Sequence, residues 1–202
     1  MKQCVVVGKT NVGKTLFALR FAAMLGQQEA VVTFRPANGP DVNQRIPLAK
    51  GETTLTGETP HLTRCLQSLE LTLPKGKGRR SLTLVDTCGL IEGIHPNEEI
   101  RQAMAQTLAA IRQAEVVLHM VDITQTCQPG SASCLGPVDY QVAQFAGLRP
   151  GYALLANKMD LPGAQEKLKK LRTEFTDYVI IALSVLRGQG MKEVKQFVWR
   201  HL

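Results

Sequence analysis

The chain has 202 residues, 44% hydrophobic and 20% charged, a balance that fits one ordinary globular domain and excludes a disordered polymer. No apolar run approaches the roughly 18 residues of a membrane span. Net charge is +7, which fits a polyanionic partner, although solubility alone explains it nearly as well. Lys2–Val7, at the very start, reads as a buried strand, so no signal peptide is expected. Lys14–Leu25 reads as a helix that Gly26 stops. Gln27 to Pro60 is rich in Pro, Gly, Thr and Asn, with little periodicity beyond a short Ala30–Phe34 run, and is expected to be a long functional loop. Alternating leucines at 69, 71 and 73 and at 82 and 84 predict a hairpin of strands Cys65–Leu73 and Ser81–Val85 around the basic turn Lys75–Arg80. Then follow a helix at Glu98–Ala114, a strand at Val116–Val121 and a short helix at Val138–Ala146. Strand Tyr152–Ala156, helix Gln165–Phe175, strand Tyr178–Leu183 and helix Met191–Trp199 complete the pattern. This alternation predicts an α/β fold: a mostly parallel six-stranded sheet with one antiparallel strand and helices on both faces, forming a single domain over residues 1–202.

The first junction carries the strongest signal. Gly8-Lys-Thr-Asn-Val-Gly-Lys-Thr15 lies between a strand and a helix, the context a P-loop requires. Gly8 and Gly13 let the backbone wrap phosphates with its N–H groups turned inward, so Asn11, Val12, Gly13, Lys14, Thr15 and Leu16 are the candidate cradle. Lys14 is placed to bridge the outer phosphates, and the Thr15 hydroxyl to ligate magnesium.

Asn157-Lys158-Met159-Asp160 follows the strand at Tyr152–Ala156, at the carboxyl end where such sheets bind ligands. The Asp160 carboxylate accepts only, and guanine offers it two donors, N1–H and N2–H; adenine has no such pair. Asn157 is expected to tie this loop to the P-loop, and the Lys158 stem to lie across the base. Ser184-Val185-Leu186, after the next strand, would offer a backbone N–H to guanine O6. Asp86-Thr-Cys-Gly89 ends the hairpin strand; its aspartate suits a magnesium-bound water and its glycine N–H a γ-phosphate. These residues point to GTP or GDP with Mg2+.

As a set, the motifs resemble the Ras-like GTPases, in particular the bacterial branch of Era, EngA and TrmE, over nearly the whole sequence. The resemblance implies a G domain with switch I at about 27–64 and switch II at about 86–100. Pro60-His-Leu-Thr-Arg64 looks like that branch's Pro-Gly-x-Thr-Arg-Asp segment, which implies that Thr63 closes on magnesium and the γ-phosphate. The sequence departs from the pattern at His61 and Cys65, and Thr53, Thr54 and Thr59 are alternatives to Thr63. Leu90 stands where Ras-type enzymes use a water-orienting glutamine, as is common in this branch. Members with asparagine at the Asn11 position bind potassium beside the phosphates, so Asn11 is a candidate K+ ligand; the alternative is that it caps the loop. The implied catalytic set is Asn11, Lys14, Thr63 and Gly89. Unlike Era or EngA, the sequence ends after its last helix, so neither an RNA-binding tail nor a second G domain is expected.

Other residues carry weaker signals. Glu92, Glu98, Glu99 and His95 lie in switch II, where one of them could position water, but Glu98 and Glu99 also suit a helix start. His119, inside an apolar strand, reads as packed. Five cysteines without a framework of short spacings suggest a reducing, cytoplasmic setting; Cys127 and Cys134 could pair or bind metal but are read as loop thiols, and Cys88 could make the nucleotide site sensitive to oxidation. The expected function is a GTP-hydrolysing molecular switch, with ribosomal RNA, a ribosome assembly intermediate or an activating protein as candidate partners. The alternative is a nucleotide-gated protein-binding module with negligible hydrolysis.

Overall fold

The computed structural model describes residues 2–36, 39–48, 66–75, 78–93 and 96–202. Its centre is one eight-stranded sheet in the order β3-β2-β4-β5-β1-β6-β7-β8. In chain order the strands are β1 (Lys2–Val7), β2 (Glu29–Arg35), β3 (Val42–Pro47), β4 (Leu66–Lys75), β5 (Gly78–Asp86), β6 (Val116–Asp122), β7 (Tyr152–Asn157) and β8 (Val179–Ala182). The described α-helices are α1 (Lys14–Met24), α2 (Glu98–Gln113), α3 (Pro137–Ala146), α4 (Ala164–Glu174) and α5 (Met191–His201). None is long and apolar enough to cross a membrane.

The α/β class with helices on both faces is as expected, but the sheet is larger. It has eight strands rather than six, and two of them, β3 and β4, run against the rest rather than one. The long loop expected from Gln27 contains the added β2–β3 hairpin. Its signal is faint because β3 forms the sheet's edge, where backbone pairing holds a strand whose residues are all exposed except Ile46. In β2 only Ala30 and Val32 are fully buried.

The central strands are apolar without alternation because both faces are covered. In β1, Cys4 and Val6 face a core shared with α1 and α5, while Val5 and Val7 face a second core with α2, α3 and α4. Phe17 and Phe21, one turn apart on α1, stack at 5.3 Å and are fully buried in the first core. The parallel strands β5, β1, β6 and β7 end side by side at Asp86, Val7, Asp122 and Asn157. That shared carboxyl edge carries the motifs.

Candidate functional site

The chain leaves β1 through Gly8, whose φ is 145°; a Cβ there would stand 2.1 Å from the Met120 carbonyl oxygen, so only glycine fits. Asn11 turns through φ 61°, a left-handed conformation that asparagine tolerates better than most residues. Gly13, at φ 102°, caps the start of α1 with no side-chain hydrogen bond, and the first turn holds no acidic residue. The first amides of α1 are thus not satisfied by a cap, which suits an anion. Lys14 is buried and its Nζ donates to the carbonyls of Gly8 at 3.1 Å and Lys9 at 2.7 Å, so the ammonium is held across the loop. Burial pushes its pKa below the ordinary lysine range, and the Asp86 charge opposes that shift.

The Thr15 hydroxyl donates to Asp86 Oδ2 at 2.6 Å. Asp86 is fully buried, and its Oδ1 has no hydrogen-bond partner. Burial raises this carboxyl to about 6, against the pull of Lys14 and the Thr15 hydroxyl. A buried carboxylate oxygen without a donor, beside a hydroxyl and between phosphate-binding elements, is the chemistry a hard divalent cation satisfies, so the donor set fits Mg2+. Gly89 packs against Thr10, where a Cβ would come within 2.3 Å of the Thr10 methyl. Leu90 N–H donates to the Gly8 carbonyl at 3.0 Å while its side chain is buried in the second core. Cys88 is buried too, its Sγ 3.3 Å from Thr107 Oγ1, and burial pushes its thiol up, which argues against the oxidation sensitivity considered from sequence.

Asn157 joins three segments. Its Nδ2 donates to the Val12 carbonyl at 2.8 Å, and its Oδ1 accepts from Val185 N–H at 3.0 Å. A Cβ on Gly13 would stand 2.7 Å from that Nδ2, so the second P-loop glycine makes room for the bond. Lys158 takes φ 67° and its Nζ bonds Asp122 Oδ2 at 2.7 Å, which fixes the stem beside the loop. Asp160 is exposed; the Ser184 hydroxyl donates to its Oδ1 at 2.6 Å and holds the carboxyl below its usual range. Val185 is buried and Leu186 exposed. The sequence reading missed Arg20, whose Nη1 donates to the carbonyls of Val185 at 2.8 Å and Leu186 at 2.6 Å, anchoring that turn on α1. Nothing in the spacing of α1 marks it.

Thr63 and its alternatives Thr53, Thr54 and Thr59 lie outside the described residues, as does His95. Asn11 is exposed, and among the described residues its side chain caps nothing. Asn97 caps α2 by accepting from the amides of Glu99 and Ile100, so Glu98 and Glu99 occupy a helix's first turn. Glu92 pairs with Lys9 at 3.2 Å. His119 is packed, but inside a polar chain that the sequence did not reveal: Nδ1 meets the Tyr152 hydroxyl at 2.9 Å, Nε2 meets Asp139 Oδ1 at 3.1 Å, and Asp139 Oδ2 is 3.8 Å from Lys9 Nζ. Beside Lys9, Asn11, Val12 and Lys158 lies a cavity of about 220 Å3 whose wall includes Asp122 and Asp139. Cys127 and Cys134 form a disulfide, which corrects the expectation of free loop thiols. The loop between them doubles back, with Cys127 N–H donating to the Cys134 carbonyl at 2.8 Å, and this turn places the two sulfurs together.

The family model described as 50S ribosome-binding GTPase matches residues 3–158. The chain is 30% identical over 118 residues to GTPase Obg of Desulfitobacterium hafniense, an alignment covering 56% of this chain and 27% of that one. It is 31% identical over 121 residues to the human mitochondrial ribosome-associated GTPase 2, covering 58% of this chain and 28% of the relative. It thus spans little more than a quarter of these relatives. Among solved structures, Era in complex with MgGDPNP and nucleotides 1506–1542 of 16S ribosomal RNA aligns with a TM-score of 0.67 at 18% identity, covering 100% of this chain and 56% of Era. That likeness is one of fold.

Proposed function

The chain belongs to the 50S ribosome-binding GTPase family, and from that premise we propose that it binds GTP and hydrolyses it to GDP and phosphate as a molecular switch. The amides of Asn11 to Leu16 and the Lys14 ammonium hold the phosphates. Asp160, steadied by Ser184, reads guanine N1 and N2, with the Lys158 stem along the base and the Ser184–Leu186 turn at O6. Thr15 and Asp86 would hold Mg2+, with Thr63 as the further candidate ligand in the GTP state, and Gly89 N–H would meet the γ-phosphate. Mg2+, when bound, neutralises charge on the outer phosphates. Asn11 is the candidate ligand for K+, whose charge would replace an arginine finger.

The single observation that carries this reading is the Asn157 amide bonded at once to Val12 and Val185, because it ties the glycine loop to the two segments assigned to the base. A fluorescent GDP analogue titrated with and without Mg2+, followed by phosphate release from GTP, tests it. Guanine-selective, Mg2+-dependent binding is expected; equal affinity for ADP and GDP would overturn it. The reading with negligible hydrolysis draws support from Leu90, which is buried and carries no group to orient water.

For the partner, we favour ribosomal RNA or a ribosome assembly intermediate in the cytoplasm. Support comes from the relatives' names, from the RNA-bound Era structure and from the charge of +7. An activating protein is the alternative source of the missing catalytic group. Cosedimentation with ribosomal subunits in the presence of a GTP analogue or GDP tests this, and a subunit profile without the protein in either state would rule it out.

A further inference from the structure

At the end of the sheet away from the P-loop, a groove of about 670 Å3 runs along α5. Met24 at the end of α1, Pro74 near the end of β4 and Trp199 give it an apolar floor, and Lys192, Lys195 and Arg200 line its rim. Lys192, Lys195 and Trp199 lie three and four positions apart, so they share a face of α5. Arg80 joins them from β5: its guanidinium stands 4.8 Å over the Trp199 ring, and its Nη1 donates to the Trp199 carbonyl at 3.1 Å. Among the described residues no carboxylate forms an ion pair with any of these four cations. Glu193 is the one acidic residue of the α5 first turn.

We infer that this groove binds a single-stranded polynucleotide, with the cations on its phosphates and the apolar floor against its bases. An apolar floor whose Trp199 ring carries the Arg80 guanidinium, rimmed by further cations, matches a strand that alternates anionic and planar parts, because bases stack on a guanidinium plane as well as on a ring. An amphipathic acidic helix would need a longer row of apolar pockets than three residues supply. A bilayer would need protruding apolar side chains, and none of the exposed large hydrophobics lies in the groove. Arg80 at the groove and Asp86 lie six positions apart on β5, a span of roughly 20 Å, so polynucleotide and nucleotide can be bound together. The choice of RNA over DNA rests on the ribosomal reading above; polynucleotide binding itself rests on the groove.

Trp199 is the chain's one tryptophan, so its fluorescence reports on the groove directly. The test titrates the full chain with single-stranded oligouridine labelled for anisotropy, reading both signals at several salt concentrations. Oligothymidine, duplex RNA and polyglutamate serve as the other arms. Lys192→Glu/Lys195→Glu/Arg200→Glu is compared with an equal charge change on α4, Lys169→Glu/Lys170→Glu/Arg172→Glu, with GDP binding as the check of fold in both. The inference expects tryptophan quenching by oligouridine, at least tenfold weaker binding in the α5 variant alone, and a shallower salt dependence there, by about 0.7 per lost phosphate contact. Anisotropy that rises without quenching, equal loss in both variants, or equal competition by polyglutamate would overturn the groove. Equal affinity for oligothymidine would overturn the choice of RNA only. Quenching in a protein that fails to bind GDP would sink the GTPase reading and leave the groove standing.

Discussion

Thr15 donates its hydroxyl to one oxygen of the Asp86 carboxylate at 2.6 Å, and the other oxygen is buried without a partner. This pair is arranged for a cation and is costly without one. The folded carboxyl, at about 6, lies above its ordinary 3.8, so the nucleotide-free fold loses stability as pH rises from about 4 through about 6. At neutral pH the cost is on the order of 3 kcal/mol. Asp86→Asn is therefore expected to raise the melting temperature of the nucleotide-free protein by a few degrees and to abolish the extra stabilisation from Mg2+ with GDP. Calorimetry with and without Mg2+·GDP checks both signs. A variant less stable than the parent without ligand would refute the argument.

On the proposed reading, base choice rests on Asp160 and the Ser184 hydroxyl that steadies it. Asp160→Asn is expected to weaken guanine nucleotides and favour xanthine nucleotides, because xanthine presents an acceptor where guanine has its amino group. Ser184→Ala, which frees the Asp160 carboxylate from its 2.6 Å bond, is expected to weaken GDP about tenfold without changing base preference. Competition titrations with GDP, XDP and ADP measure both, and unchanged GDP affinity in Asp160→Asn would remove that residue from the base site.

With Leu90 buried, unaided hydrolysis is expected to be slow, of the order of 10⁻⁴ per second as in unassisted Ras-type switches. Potassium is expected to raise the rate well above its value in sodium or caesium, and Asn11→Ala to lose that response while still binding GDP. Single-turnover rates at matched ionic strength decide. Equal rates in the three salts would point to a group supplied by a partner, and a potassium effect that survives in Asn11→Ala would dismiss the ligand.

The Tyr152–His119–Asp139 chain is fully satisfied and largely buried, so breaking it strands polar atoms. His119→Phe is expected to cost about 3 kcal/mol, because a carboxylate oxygen and a phenol lose their partner together. Tyr152→Phe, which strands one imidazole nitrogen, is expected to cost about 1 kcal/mol. Urea unfolding of both variants provides the comparison; equal losses would mean that packing, not polar pairing, sets the cost.

Replacing Cys127 and Cys134 by serine opens a loop closed across seven positions, and is expected to lower stability by about 2 kcal/mol. Non-reducing mass analysis of the purified protein, with and without thiol alkylation, shows whether the bond is present before the unfolding comparison is made.

What could be read from the sequence was whatever leaves a local pattern. The apolar run of β1 and its glycine-bounded loop are contiguous, and so are the leucines of the β4–β5 hairpin. The β2–β3 hairpin escaped because an edge strand is held by backbone bonds and need not be apolar; Val42–Pro47 buries one side chain. His119 looked inert because its partners stand 20 and 33 positions away on other elements. Arg20 was hidden for the same reason, and the Cys127–Cys134 pair, visible as one possibility, was ranked below free thiols because the doubled-back loop that joins it leaves no local pattern.

The Asn157 amide reaches Val12 across 145 positions and Val185 across 28. Closing so long a loop costs entropy before any contact returns it, so these bonds form late in folding. During synthesis the phosphate loop emerges before the turn after β8, so the base has no floor or wall until that turn has followed. On the proposed reading, guanine selectivity is acquired only once Val185 has been made, and a nascent chain stopped before it has phosphate-binding amides but no means of choosing a nucleotide.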